Sequence, residues 1–120
     1  MLVVDAANVI GSRPDGWWRD REGAARRFVQ AVRAAVAADR IPVPVTVVLE
    51  GRARAGSGEG EAGGVRVVHA PASGDDTMAA LAAECSDVVV VTADRELVER
   101  VRSGGAEVVG PRWLLDRLDG

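Results

Sequence analysis

Apolar, β-branched residues fall into five short runs along this chain: LVV at 2–4, VPVTVVL at 43–49, VRVVH at 65–69, DVVVVT at 87–92 and AEVVG at 106–110. Their near-continuous apolar character reads as strands covered on both faces. Between most of them lie stretches with helical spacing. In 20–38, Ala24, Ala25, Phe28, Val29, Val32, Ala35 and Val36 recur at steps of three and four, with Arg26, Arg27 and Arg33 mainly on the other side. Residues 75–85 and 95–103 read as two shorter helices, and 111–118 as a terminal helix with Pro111 in its first turn. The resulting order, β-α-β-loop-β-α-β-α-β-α, predicts an α/β fold: a mostly parallel five-stranded sheet with helices on both faces, in three layers.

The loop is RARAGSGEGEAGG, 52–64. Its glycine density argues against a stable helix, and its length suits either a flexible crossover or a flap that touches substrate. It lacks the Lys-Ser/Thr ending of a phosphate-binding P-loop and the strand–helix setting of a dinucleotide fingerprint.

With 120 residues, 48% hydrophobic and 28% charged, the whole of 1–120 reads as one globular domain. No apolar run is long enough for a transmembrane helix, and no basic region precedes the first apolar run as in a signal peptide. Cys85 is the one cysteine, which excludes an internal disulfide and a thiolate-rich metal site and points to a buried small hydrophobe. A cytoplasmic location without membrane association is expected. Charge is unevenly spread. From Arg13 to Arg54, nine arginines face five acids, a net +4; the remainder has six arginines against thirteen acids, a net −7. A cationic lobe beside an acidic one suits a phosphate-bearing substrate, particularly where cations offset the acids.

In a parallel sheet the carboxyl ends of all strands share one edge, where open α/β sheets bind ligands. Asp5 ends the first run and Glu50 the second. His69 ends the third, with Asp75 and Asp76 following, and Asp94 ends the fourth, with Glu96 two residues on. Asp75, Asp76 and Asp94 are each also placed to cap a helix; Asp5 has no evident capping role after a buried strand. Two bare carboxylates about 4 Å apart repel by roughly 4 kcal/mol at an effective dielectric of 20. Several together need protons or cations, and oxygen ligands with one histidine suit Mg²⁺ or Mn²⁺.

D-A-A-N at 5–8, S-G-D-D at 73–76 and T-A-D-R-E-L at 92–97 resemble the NYN domain, a branch of the PIN-like nuclease superfamily. The resemblance spans essentially the whole chain. It implies a sheet order of 3-2-1-4-5 and a metal-dependent ribonuclease centre. Asp5, Asn8, Asp75 and Asp94 would be its catalytic residues. Asp5, Asp75, Asp76, Asp94 and Glu96 would form the metal-ligand set; Thr92 would hydrogen-bond a carboxylate or a substrate phosphate, and Arg95 would contact substrate. After Asn8, the stretch GSRPDGWWRDR at 11–21 carries a turn signal, two adjacent tryptophans and three arginines. Trp17 and Trp18 either anchor the loop or stack on unpaired bases, with Arg13, Arg19 and Arg21 beside phosphates. The expected partner is single-stranded or structured RNA, and a homodimer is a further expectation. Two other readings fit the same residues: a non-catalytic nucleic-acid- or protein-binding module, and a nucleotide pyrophosphohydrolase using the same metal site. His69 reads as a satisfied strand-end histidine and Trp113 as core.

Overall fold

The computed structural model describes residues 1–120. Six strands form one mixed sheet: β1 (Leu2–Asp5), β2 (Val45–Leu49), β3 (Gly60–Ala62), β4 (Val65–His69), β5 (Val89–Val91) and β6 (Glu107–Val109). Their order across the sheet is β3-β4-β2-β1-β5-β6. The five apolar runs are the parallel strands, in the expected order, with β1 at the centre between β2 and β5. The sixth strand is a correction. The glycine-rich segment turns back and pairs β3 antiparallel with β4. Gly63 and Gly64 adopt positive φ at that turn, a conformation open to glycine without strain. The Glu61 side chain accepts the Gly64 N–H at 2.9 Å.

Five helices cover the sheet: α1 (Ala6–Gly11), α2 (Arg21–Ala37), α3 (Gly74–Glu84), α4 (Arg95–Ser103) and α5 (Pro111–Leu118). Period-two alternation along the strands divides the core in two. Leu2, Val4, Val45, Val47, Leu49, Val65, Val67 and Val91 face α1, α2 and α5, joined by Phe28, Val32 and Leu114. Val3, Val48 and Val90 face the opposite way, against Met78, Leu81, Leu97 and Val101 of α3 and α4. Trp113 packs at the margin of the first core, with Arg117 3.8 Å from its ring centre. No helix is long and apolar enough to cross a membrane.

Two more expectations change. Residues Gly51–Gly56 form a 3₁₀ turn, so this part of the segment is not a structureless crossover. The turn packs on α2 at Gly56, where an added Cβ would stand 2.4 Å from the Glu22 carbonyl oxygen and 2.8 Å from the Ala25 Cβ. Cys85 is exposed, not buried. It sits at the carboxyl end of α3, beyond the last turn that contacts the sheet.

Candidate active site

The chain leaves β1 toward α1 and α2 on one face of the sheet and leaves β5 toward α4 on the other. Adjacent parallel strands whose connections diverge leave a crevice beyond their carboxyl ends. Asp5 closes β1 at the bottom of this crevice and is only 6% exposed. One carboxylate oxygen accepts the Asn8 N–H at 3.2 Å, so Asp5 does cap a helix: α1, a six-residue helix too short for its periodicity to stand out in the sequence. The other oxygen accepts the Thr92 hydroxyl at 2.8 Å. Thr92 Oγ1 in turn accepts the Asp94 N–H at 3.1 Å. Asn8 Oδ1 accepts the Ala93 N–H at 2.8 Å. Asp94 caps α4 through the Leu97 N–H at 3.1 Å. Side chains from β1 and α1 are thereby bonded to the loop after β5, and Asp5 is fixed in orientation.

The electrostatics are unfavourable by construction. Burial pushes the Asp5 carboxyl up to about 6; the Thr92 and Asn8 hydrogen bonds oppose that rise, and the charges of Glu50 and Asp75 add to it. Asp75 is raised as well, first by burial, then by Asp94 and Glu50; Arg100 opposes this and Glu96 adds to it. Glu50, at the end of β2, turns its carboxylate to the Gly74 N–H at the start of α3. Ser73, the residue before α3, supplies no side-chain cap, so Glu50 takes that part. At Gly74 an added Cβ would stand 3.0 Å from the Met78 Cε, so the close approach there is to the core side chain of α3. The ion pairs of the molecule are Arg13–Asp119, Arg100–Asp76 and Arg112–Asp116, so neither Asp5 nor Asp75 has a cationic partner.

The expected residues therefore divide. Asp5, Asn8, Thr92 and Asp94 are bonded together, and Asp75 and Glu50 face them electrostatically. Asp76 points away and pairs with Arg100 at 2.7 Å. Successive residues of a helix diverge by about 100°, so only one of Asp75 and Asp76 faces the crevice. Glu96 is exposed and acts on Asp75 alone. No three acidic, histidine or cysteine side chains gather closely enough to hold one ion among them. The five-residue ligand set is thus not assembled as a cage. A divalent ion that keeps several of its waters needs only one or two carboxylates, and the hard oxygens of Asp5 and Asp75, short of positive charge, match that chemistry.

On the cationic side, Arg13 is tied to Asp119 at 2.6 Å, and Arg95 is exposed without a hydrogen bond or ion pair. Trp17 is half-buried and Trp18 is 52% exposed. Their rings meet edge to face, 5.9 Å apart. His69 is satisfied, with Nε2 2.7 Å from the Ser57 carbonyl oxygen. Glu50 is the residue that sequence reasoning left out of the site. Its position at the carboxyl end of a central strand was visible in VVLEG, but its reach across to α3 was not.

A crystal structure of a mutant of Rae1 (YacP) from Bacillus subtilis superposes on 98% of this chain and 73% of its own, with a TM-score of 0.71 and 22% identity. The two chains are similar in overall fold. No protein-family model matches the sequence, and no curated protein matches it significantly.

Proposed function

We infer that the protein is a nuclease that hydrolyses RNA phosphodiester bonds, related to the NYN branch of the PIN-like superfamily. One observation carries this reading: a buried carboxylate, Asp5, stands at the switch point of the sheet without a cation, beside two more acids. Holding Asp5 ionised against a rise to about 6 costs about 3 kcal/mol at neutral pH. A fold retains such a group where function requires it, and perturbed carboxylates in clefts mark functional sites. The likeness to Rae1 and the three motifs that follow β1, β4 and β5 support the same reading.

Asp5 and Asp75 are the residues that would hold Mg²⁺ or Mn²⁺. Bound there, the ion would polarise a phosphate and lower the pKa of a coordinated water. Thr92 and Asn8 orient Asp5. Asp94 fixes the loop after β5 and adds to the negative potential at Asp75. Glu50 holds the first turn of α3, and with it Asp75, against the crevice.

Wild type, Asp5→Asn and Asp75→Asn incubated in Mn²⁺ with labelled RNA, DNA and nucleoside triphosphates test this. RNA cleavage by wild type is expected, with a loss of about 10²-fold or more in each variant, in the range of losing an electrostatic catalytic group. Equal cleavage by all three proteins would overturn it. A second reading, a module that binds RNA without cutting it, is favoured by the want of a three-ligand cage. Retention of RNA without products in that assay would establish it, and release of pyrophosphate from nucleotides alone would point to a pyrophosphohydrolase.

A further inference from the structure

Two pockets open between the start of α2 and the Gly51–Gly56 turn, the first of them bordered by Glu50. The inner one, about 380 Å³, is lined by Ala7, Ile10, Trp17 and Ala72, with Arg21 and Arg52 at its side. The outer one, about 300 Å³, is lined by Trp18, Arg19 and Ala55 and by the same two arginines. Arg21 and Arg52 line both, so the two pockets adjoin as a groove and share these arginines. Pockets of roughly 300–1,000 Å³ enclose small organic ligands.

Three features single the groove out. Each pocket holds one indole, Trp17 beneath the Arg21 guanidinium at 5.4 Å and Trp18 beneath that of Arg19 at 5.8 Å. The rings stand at 89° to one another, so a ligand flat on one must turn to lie flat on the next. Arg19, Arg21 and Arg52 enter no ion pair. Of the acids nearby, Asp15 accepts the Trp17 N–H, Asp20 the Gly23 N–H and Glu50 the Gly74 N–H; Glu22 lines the outer pocket without such a bond. The opposite wall is the Gly51–Gly56 turn, seated on α2 through Gly56.

We propose that this groove is a two-nucleotide binding site. One base stacks at Trp17 in the inner pocket, the next at Trp18 in the outer pocket, and the phosphate between them is held by Arg21 and Arg52. An indole accepts any base face, and a guanidinium pair supplies directed donors to phosphate oxygens. The proposal rests on the nuclease reading for one point alone: the inner pocket borders Glu50, so a bound strand leads from the groove to the carboxylates. The groove thereby decides which linkage of a strand reaches Asp5.

Calorimetric titration in EDTA tests the site without requiring cleavage. The probe is a 5′-phosphorylated diadenylate, with adenosine as the comparison. Saturable binding of the dinucleotide is expected, at least tenfold tighter than adenosine. Arg52→Ala and Trp18→Ala should each weaken it about tenfold, in the range found for losing one stacked base, and Arg52→Lys should restore part of the loss. Both residues are exposed, so unchanged melting curves would show the variants folded. Absence of saturable binding, or equal binding by wild type and both alanine variants, would overturn the proposal. Should the alanine variants bind and cleave RNA like wild type while Asp5→Asn does not cleave, the groove falls and the nuclease reading stands. Dinucleotide binding that depends on Arg52 and Trp18, with no RNA cleaved, would keep the groove and remove the nuclease.

Discussion

Asp5 answers to two demands that pull its proton in opposite directions. Thr92 and Asn8 offer hydrogen bonds that favour the charged form, while burial and the neighbouring Glu50 and Asp75 favour the neutral one, and burial prevails. The folded carboxyl therefore takes up a proton more readily than the unfolded one. Its stabilising effect is complete below pH 3.8 and is lost as pH rises through about 6. Asp5→Asn removes the charge yet keeps an oxygen for the Asn8 N–H and an amide for Thr92 Oγ1. In urea unfolding at pH 7.5 the variant should be more stable than wild type by about 1–3 kcal/mol, and the gap should close near pH 4. A variant no more stable than wild type at pH 7.5 would mean that Asp5 is not a strained group. Residue chemistry at this site was partly legible beforehand. Asp5, Asp75 and Asp94 stood at strand ends, where the chain's order brings them to one edge. The Thr92 hydroxyl was expected on a carboxylate or phosphate and bonds Asp5; the other bonds were not legible, because Asp5 caps a helix of only six residues and Glu50 acts on a residue 24 positions away.

At the level of elements, the Gly51–Gly56 turn decides how the second strand connects to the sheet edge. Composition argued for an unstructured loop, and glycine content does lower helix stability. The turn forms because Gly56 lets two backbones meet: nothing larger than hydrogen fits against the Glu22 carbonyl. Gly56→Ala must push the turn from α2, and overpacking of this kind costs about 1–3 kcal/mol. A fall in melting temperature is expected with little change at Gly58→Ala, where an added Cβ meets nothing within 4 Å. The long helix α2 and the parallel strands were readable because their apolar periodicity runs through many residues. The short pieces, α1 and β3, were not. Three residues of GEA carry no pattern, and pairing with β4 depends on positive-φ glycines around them.

Across the whole molecule, the arrangement of charge sets one lobe against the other. The carboxylates gather beyond β1, β2 and β5, while the unpaired arginines of the groove lie beside them, Arg19 just before α2, Arg21 at its first position and Arg52 on the Gly51–Gly56 turn. A cation bound only by the folded state raises stability by RT ln(1 + [L]/Kd), about 1.4 kcal/mol at ten times Kd. Mn²⁺ should therefore raise the melting temperature of wild type at pH 7.5. It should do little at pH 4.5, where Asp5 holds its proton, and little to Asp5→Asn at either pH. Thermal melts at both pH values check this, and an equal rise in the variant would place the ion elsewhere. The central strand has a further consequence. β1 precedes both of its neighbours in the chain, yet Leu2 pairs with Val45 on one side and Val89 on the other. Synthesis must pass Thr92 before its hydroxyl can meet Asp5. A nascent chain stopped short of β5 consequently leaves one oxygen of the Asp5 carboxylate without its partner, and this edge of the sheet is complete only once both neighbours of β1 have been made.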